Sequence, residues 1–280
     1  MKTWDNESCP SKALIRPELF TTENRFKKRT AKTFMCNPAD LCLCVKEAFK
    51  QGIIDTDTKI LAIERGPKAG DTHPEYGWEM CPDEAREQKE RIIKSIYKEL
   101  KILGFAEENI TIWDKDIVKL TANNMRQLGF GHVDYAYLDT CSCLSKAFIT
   151  WYRRHMNKVI NFKSTLAFTF MISRDVKAWE NYPINDRERM YYFCGLGNIS
   201  TLDRDIDKLF AANKVSKLIQ DNTKFDNVVT YGRTYKEPGK SQPMLTFKIN
   251  FGWKQKNFTG SMDTLNLGYK NRTGYFLKMN

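Results

Sequence analysis

Several features are missing from this sequence of 280 residues, and each absence excludes a class of protein. No apolar run approaches the roughly 20 residues that a helix needs to cross a bilayer. The N-terminus carries charges where a secretory signal would have its apolar segment, in MKTWDNESCPSKALIRPELF. We find no internal repeat and no low-complexity tract. We therefore expect a globular protein of a cytoplasm that does not contact a membrane.

Metal-binding patterns are also scarce. The chain has three histidines and eight cysteines. Its two close cysteine pairs, Cys42/Cys44 and Cys141/Cys143, have C-x-C spacing instead of the C-x-x-C spacing of zinc knuckles. A chain of this length does not need disulfides to fold, so we expect most of the thiols to be reduced. We predict no structural metal.

Positive charge is what the sequence has in excess. The 45 Lys and Arg residues outnumber the 34 Asp and Glu residues, which gives a formal net charge of +11. Such an excess attracts polyanions, and nucleic acid is the commonest polyanion of a cytoplasm. We predict contact with DNA or RNA. The alternative is a basic surface that only keeps the protein soluble.

Strand and helix patterns alternate along most of the chain. Five apolar strands, at residues 32–38, 58–66, 109–116, 132–139 and 164–174, are separated by four amphipathic helices, at 39–52, 83–104, 122–128 and 143–156. Two later runs, 225–237 and 243–253, flank a Pro/Gly turn and predict a hairpin. The pattern predicts an α/β fold, a doubly wound and mostly parallel sheet with a C-terminal antiparallel hairpin. We divide the chain into a basic N-terminal arm (1–30), the α/β domain (31–255) and a C-terminal extension (256–280).

Polar side chains stand where successive predicted strands end. Asn37 follows the first strand, Glu64 the second, Asp114 and Asp116 the third, and Asp139 the fourth. Ligands of open parallel sheets bind beyond the carboxyl ends of the strands, where the strand order reverses. An acid that ends the second strand can accept hydrogen bonds from a ribose diol, so Glu64 is a candidate ribose ligand. The alternative is that these residues are polar only because strands leave the core there.

Five alternating units followed by a hairpin resemble the class I, Rossmann-like S-adenosylmethionine-dependent methyltransferase fold, over about residues 33–253. The bacteriophage-encoded methyltransferase-like proteins look most similar, which would make this a viral protein of the host cytoplasm. The resemblance implies S-adenosylmethionine as cofactor. It implies cofactor contacts at five positions: Asn37 and Pro38 for the methionine part, Glu64 for the ribose, and Asp114 or Asp116 for the adenine.

The same resemblance implies a catalytic loop DTCS after the fourth strand, with Asp139 and Cys141 as the candidate catalytic residues. Asp139 would orient the methyl acceptor. Cys141 would be a nucleophile of the kind used in cytosine C5 methylation, and a buried inert thiol is the alternative. The sequence departs from the family in two places. CNPAD has no glycine where the family usually has a glycine-rich loop, and DTCS has neither the proline nor the aromatic residue of amino-methylating enzymes.

Basic and aromatic residues are interleaved in RFKKR, WYRRHMNK and FGWKQKNF. Cations neutralise phosphates and rings stack on unpaired bases, so these segments suit nucleic acid. A solvated face with core tryptophans is the alternative for the latter two segments. The candidate nucleic-acid-binding residues are Arg25, Lys27, Lys28, Arg29, Arg153, Arg154 and Lys254.

Three functions are compatible with these patterns. The first is an S-adenosylmethionine-dependent methyltransferase-like protein that acts on or binds nucleic acid. The second is a catalytically inactive protein of the same fold, which serves as a basic nucleic-acid-binding or structural module. The third is a nuclease in which Glu64, Asp114 and Asp139 hold Mg²⁺. The fold alone does not choose among these functions.

Overall fold

The structure, a computed structural model, describes residues 10–20, 30–73, 76–171, 219, 222–225, 227–235 and 244–251. The described helices and strands follow one another along the chain as α1 (Pro10–Leu19), β1 (Thr33–Cys36), α2 (Leu43–Lys50), β2 (Lys59–Ile63), α3 (Pro82–Ile102), β3 (Ile110–Trp113), α4 (Ala122–Gln127), β4 (Tyr135–Cys143), α5 (Lys146–Arg154), β5 (Thr165–Met171), β6 (Asn227–Tyr235) and β7 (Met244–Phe251). Apart from α1 and the end of β4, each lies in a segment where the sequence predicts an element of that type.

The seven described strands form one sheet in the order β3-β2-β1-β4-β5-β7-β6. All pairings among strands β1 to β5 are parallel. Strand β7 inserts antiparallel between β5 and β6. The strand order reverses between β1 and β4, and such a reversal opens a crevice at the carboxyl ends of the two strands. The predicted fold class, an α/β fold with a doubly wound, mostly parallel sheet and a C-terminal antiparallel hairpin, is confirmed.

Helices cover both faces of the sheet and create two apolar cores. Helices α1, α2 and α3 contribute to one core, and α4 and α5 contribute to the other. Strand β1 shows why both cores are needed. Phe34 and Cys36 belong to the first core and Met35 to the second, because successive side chains of a strand point to opposite faces. All four residues of β1 are buried, as expected for a central parallel strand.

Residues 10–20, which the sequence places in an arm, form helix α1 and the turn that follows it. Leu19 and Phe20 are fully buried there. The hydroxyl of Tyr135 donates a hydrogen bond to the carbonyl of Leu19, over 3.0 Å. The helix is short and contains Pro17, so its sequence carries a weak helical signal. Its packing against the sheet supplies the stability that helix propensity does not.

Strand β4 is longer than the sequence predicts. The DTCS segment was predicted to be a loop, but β4 continues through it to Cys143 and pairs with β5. The pairing register shifts between Asp139 and Cys143. An irregularity of this kind changes the direction in which side chains point, and it is common beside functional sites. Helix α5 consequently begins later than predicted, at Lys146, after Ser145 whose hydroxyl accepts a hydrogen bond from the amide of Phe148.

Candidate functional site

A cleft of about 600 Å³ lies at the carboxyl ends of β1, β2 and β4. This is the place where the strand order reverses, so the topology and the cavity point to the same site. The loops after β1, β2 and β3 line the cleft, and α1 and the first turns of α5 complete it. The lining side chains that can carry chemistry include Lys12, Arg16, Asn37, Glu64, Asp116 and Asp139.

Asn37, directly after β1, presents a buried acceptor to the cleft. Its amide side chain donates from Nδ2 to the carbonyl of Ile63, over 2.9 Å. Its backbone N–H donates to the carbonyl of Tyr137, over 3.2 Å. These bonds fix Asn37 between β2 and β4. Among the described residues nothing donates to its buried Oδ1, and a buried acceptor without a donor is costly unless a ligand supplies one.

The loop after β1 makes its turns without glycine. Ala39 has a φ of 49° and Cys42 a φ of 52°, so both adopt the left-handed conformation that glycine usually supplies. Each such residue costs roughly 1–2 kcal/mol. Ala39 lines the cleft, whereas Pro38 is buried and is not among the lining residues. The missing glycines therefore do not prevent the chain from turning beside the cleft, and the strain is concentrated there.

Glu64, directly after β2, carries a partly buried carboxylate. Its Oε1 accepts a hydrogen bond from the backbone N–H of Gly66, over 2.8 Å. Burial raises the pKa of this carboxyl, and the Gly66 hydrogen bond and the charge of Arg65 oppose the rise. No other described residue donates to the carboxylate, so Oε2 can accept from a ligand. A carboxyl in a cleft with a pKa raised by burial is a frequent mark of a functional site.

Residue 66 must be glycine for two reasons, the backbone conformation of its turn and the lack of space for a side chain. Its φ is +67°, and a Cβ added there would lie 2.8 Å from Cβ of Lys89. Glycine thus lets the loop after β2 approach α3 closely. The close approach holds the N–H of Gly66 against Glu64. The orientation of the Glu64 carboxylate therefore depends on this glycine.

The two candidates after β3 occupy different places. Asp116 lines the cleft, and its carboxylate accepts from the N–H of Val118, over 3.1 Å. Asp114 is not among the lining residues. Its carboxylate pairs with Lys89 at 2.9 Å, and the hydrogen bond from that lysine lowers the pKa of Asp114. Of the two predicted adenine contacts, Asp116 is the one in the cleft.

Asp139, in β4, reaches the cleft as half of an ion pair. Its Oδ2 lies 2.8 Å from Nζ of Lys12, and the two side chains are only 10% and 19% exposed. The hydroxyl of Tyr137 also donates to Oδ2, over 3.4 Å. No sequence pattern points to Lys12 or Arg16, because both lie on α1, which has no clear helical signal. Only the packing of α1 brings these cations to the strand ends.

The remaining candidates lie elsewhere. Cys141 is in the irregular part of β4, and its side chain is outside the described set. Arg153 and Arg154 are exposed at the last turn of α5. That helix begins beside the cleft and runs back along the sheet, so its last turn is at the opposite edge. Four candidates near the N-terminus and one near the C-terminus lie outside the described residues: Arg25, Lys27, Lys28, Arg29 and Lys254.

The described residues contain no group of three or more His, Cys, Asp or Glu side chains that could hold a metal ion. In particular, the carboxylates of Glu64, Asp114 and Asp139 do not gather into such a group. The geometry therefore gives no support to the nuclease hypothesis. Across the same ranges, no helix is long and apolar enough to cross a membrane.

Comparisons with known proteins give only distant structural likenesses. A scan against protein-family models finds no match, and a search of curated protein sequences finds none. Among solved structures, the fibrillarin pre-rRNA processing protein of Methanococcus jannaschii is 12% identical, with a TM-score of 0.44 over 88% of this chain and 77% of that chain. Trm5b from Pyrococcus abyssi is 10% identical, with a TM-score of 0.42 over 90% of this chain and 51% of that chain. P. horikoshii TYW2, solved in complex with MeSAdo, is 8% identical, with a TM-score of 0.43 over 90% of this chain and 66% of that chain. Likeness at this level carries no inference about function.

Proposed function

We propose that the cleft binds S-adenosylmethionine and that the protein is a methyltransferase acting on nucleic acid. The observation that carries the proposal is the position of Glu64. Its carboxylate follows β2 at the topological switch point and faces a cleft of about 600 Å³ with one oxygen free to accept. In nucleotide-binding α/β folds, a carboxylate at this place accepts hydrogen bonds from the ribose hydroxyls.

The cleft also fits the rest of such a cofactor. Its volume lies in the range of small-molecule sites. The buried Oδ1 of Asn37 is an acceptor suited to the ammonium of a methionine moiety, and Asp116 stands where the adenine would lie. Cations and carboxylates are equally numerous in the lining, which suits a ligand that carries both signs of charge. These lining residues are Lys12, Arg16, Arg65 and Lys115, against Glu64, Asp71, Asp116 and Asp139.

The residues of the chain have positioning roles in this proposal. S-adenosylmethionine, when bound, supplies a methyl group that is attached to a sulfonium sulfur. An acceptor atom can displace that sulfur directly. Asp139 accepts a hydrogen bond from the N–H or O–H of the acceptor and so orients its lone pair. Lys12 holds the Asp139 carboxylate in place through the 2.8 Å ion pair. Rate enhancement by such positioning needs no covalent intermediate, so no role for Cys141 is required.

Nucleic acid as the acceptor rests on charge. The net charge of +11 favours a polyanionic substrate over a small neutral one. A catalytically inactive protein that keeps the cofactor cleft is the alternative. The resemblance to bacteriophage methyltransferase-like proteins remains a prediction.

The cofactor proposal is tested by calorimetric titration with S-adenosylmethionine and S-adenosylhomocysteine. We expect micromolar binding by the wild type. Glu64→Ala should weaken binding at least about a hundredfold, since it removes two ribose hydrogen bonds and each hydrogen bond to a charged acceptor contributes about 1.5–3 kcal/mol. The matched control is Asp114→Ala, which removes a carboxylate outside the cleft and should leave binding unchanged. Absence of binding at millimolar ligand would contradict the proposal.

Catalysis is tested separately, with methyl-labelled S-adenosylmethionine and pools of RNA and DNA. We expect label in one pool, and we expect Asp139→Asn to abolish the transfer while cofactor binding persists. Cofactor binding without transfer to either pool would favour the inactive alternative.

A further inference from the structure

The edge of the sheet opposite the cleft carries a group of exposed cations. We call this group the basic patch, and it consists of Arg153, Arg154, Lys158, Lys163 and Lys224. Arg153 and Arg154 lie in the last turn of α5, and Lys158 and Lys163 lie between α5 and β5. Lys224 joins them because its backbone N–H donates to Oδ1 of Asn157, over 3.2 Å, and Nδ2 of Asn157 donates to the carbonyl of Asn222.

Hydrogen bonds fix this segment at the amino ends of β4 and β5. The N–H of Val133 donates to the carbonyl of Val159, over 2.8 Å, and the N–H of Thr165 donates to the carbonyl of Asp134, over 2.9 Å. Strand β5 has seven residues, which span roughly 20 Å at the usual rise of a strand. The basic patch and the cleft therefore lie a full strand length apart.

The cations of the basic patch form no ion pair with any described carboxylate. For Arg153, Arg154, Lys158 and Lys163 the sequence explains this, because the stretch 140–174 contains six Lys or Arg residues and no Asp or Glu. His155, beside the patch, has a pKa lowered first by burial and then by the charges of Lys158 and Arg154. Unpaired like charges repel one another, and a bound polyanion relieves the repulsion.

Two phenylalanines accompany the cations. Phe162 is 58% exposed, and Nζ of Lys163 lies 5.3 Å from the centre of its ring. Nζ of Lys224 lies 5.7 Å from the ring centre of Phe225. A ring beside an ammonium suits a single nucleic-acid strand, since a base stacks on the ring while the cation neutralises a phosphate. The segment from Arg153 to Lys163 exposes one large apolar side chain, whereas membrane-surface binding needs a whole apolar helix face.

We propose that the basic patch binds single-stranded nucleic acid at a site separate from the cleft. The patch holds one part of a strand while another part of the same strand reaches the cleft. This inference rests on the proposed function only in taking nucleic acid as the partner. It does not require the cleft to be occupied.

The test measures the binding of a fluorescently labelled, mixed-sequence single-stranded oligonucleotide of about 20 nucleotides, a length sufficient to cover one binding surface, over a range of salt concentrations. The patch variant combines Arg153→Gln with Arg154→Gln. The matched control combines Lys94→Gln with Lys98→Gln, which removes the same charge from exposed positions of α3. We expect the patch variant to bind at least about tenfold more weakly and to flatten the plot of log K against log salt by about 1.4, or 0.7 for each lost phosphate contact. We expect the control variant to change neither quantity appreciably.

A second variant separates stacking from charge. Phe162→Ala should weaken binding by about tenfold while leaving the salt dependence unchanged, because stacking releases no counterions. Equal weakening by the patch variant and its control would overturn the proposal, since net charge alone would then explain binding. Binding to phosphatidylserine vesicles without binding to the oligonucleotide would also overturn it.

Failure of the patch and failure of the cleft are distinguishable. The patch variant should titrate with S-adenosylhomocysteine as the wild type does. Glu64→Ala should bind the oligonucleotide as the wild type does. Loss of oligonucleotide binding in Glu64→Ala would contradict the separation of the two sites.

Discussion

The two ends of the strands, which we call the carboxyl edge and the amino edge of the sheet, differ in how their charges are balanced. At the carboxyl edge, cations meet carboxylates, as in the pairs Lys12–Asp139 and Lys89–Asp114. At the amino edge, the cations of the basic patch have no carboxylate partner among the described residues. Balanced charge around a cavity selects a small ligand by its shape and its polar groups. Unbalanced charge on an open surface attracts any polyanion. This difference in charge is the reason why we propose two ligands of different kinds.

Helix α5 begins beside the cleft and ends at the basic patch, so we expect its packing in the core to affect both sites. Trp151, in the middle of the helix, is 2% exposed, and its indole N–H donates to the carbonyl of Leu120, over 2.7 Å. We expect Trp151→Ala to lower the free energy of unfolding by about 3–5 kcal/mol, the largest effect of any single change considered. Denaturant unfolding measures this loss, and we expect a smaller loss for Trp151→Phe, which keeps an aromatic ring. A loss below about 1 kcal/mol would contradict the inference that Trp151 anchors α5 in the core.

The ion pairs of the carboxyl edge should differ in strength. Lys12→Met removes the ion-pair partner of Asp139, whose side chain is only 10% exposed, and we expect a loss of about 1–3 kcal/mol. Asp114→Asn breaks a pair whose acid is 48% exposed, and solvent screening should limit the loss to about 0–1 kcal/mol. Thermal unfolding of both variants measures the two losses in stability. Equal losses would contradict the inference that α1 is anchored by a buried charge.

We expect the Glu64 carboxylate to lower the free energy of unfolding while it contributes to ligand binding. Burial raises the pKa of this carboxyl, so the folded wild type carries an unfavourable buried charge at neutral pH. We expect Glu64→Gln to raise the free energy of unfolding at pH 7 by about 0.5–2 kcal/mol. The gain should shrink as the pH falls through the folded-state pKa and vanish below the ordinary value of 4.5, where the wild-type carboxyl is neutral too. Unfolding curves at several pH values check this, and a gain that grows at acidic pH would contradict it.

The strained loop after β1 should give the smallest effect. Ala39 has a φ of 49°, and glycine adopts this conformation without steric cost. We expect Ala39→Gly to stabilise the fold by about 0.5–1 kcal/mol, after the greater entropy of an unfolded glycine is subtracted. The control is Ala147→Gly, in the first turn of α5, where glycine should destabilise by up to about 1 kcal/mol. Destabilisation by both changes would show that the loop is not strained.

Local sequence patterns were sufficient for the strands and helices whose residues alternate or repeat clearly, and they put Asn37, Glu64, Asp116 and Asp139 at the correct edge of the sheet. They failed for α1, where short length and an internal proline hide a helix that only tertiary packing stabilises. They also failed at DTCS, because the extension of β4 depends on its pairing with β5.

Two features of the sites depend on contacts between distant parts of the chain. Lys12 meets Asp139 only because α1 folds back over the strand ends. Lys224 joins the basic patch only through the hydrogen bonds of Asn157. No periodicity within a short window contains such information.

Hydrogen exchange with and without saturating S-adenosylhomocysteine tests the central claim most directly, because it locates the ligand on the chain. We predict slower exchange in the loops after β1 and β2, at residues 37–42 and 64–67, and no change at residues 153–163. Protection at residues 153–163 instead, or no protection anywhere, would contradict the assignment of the cleft as the cofactor site.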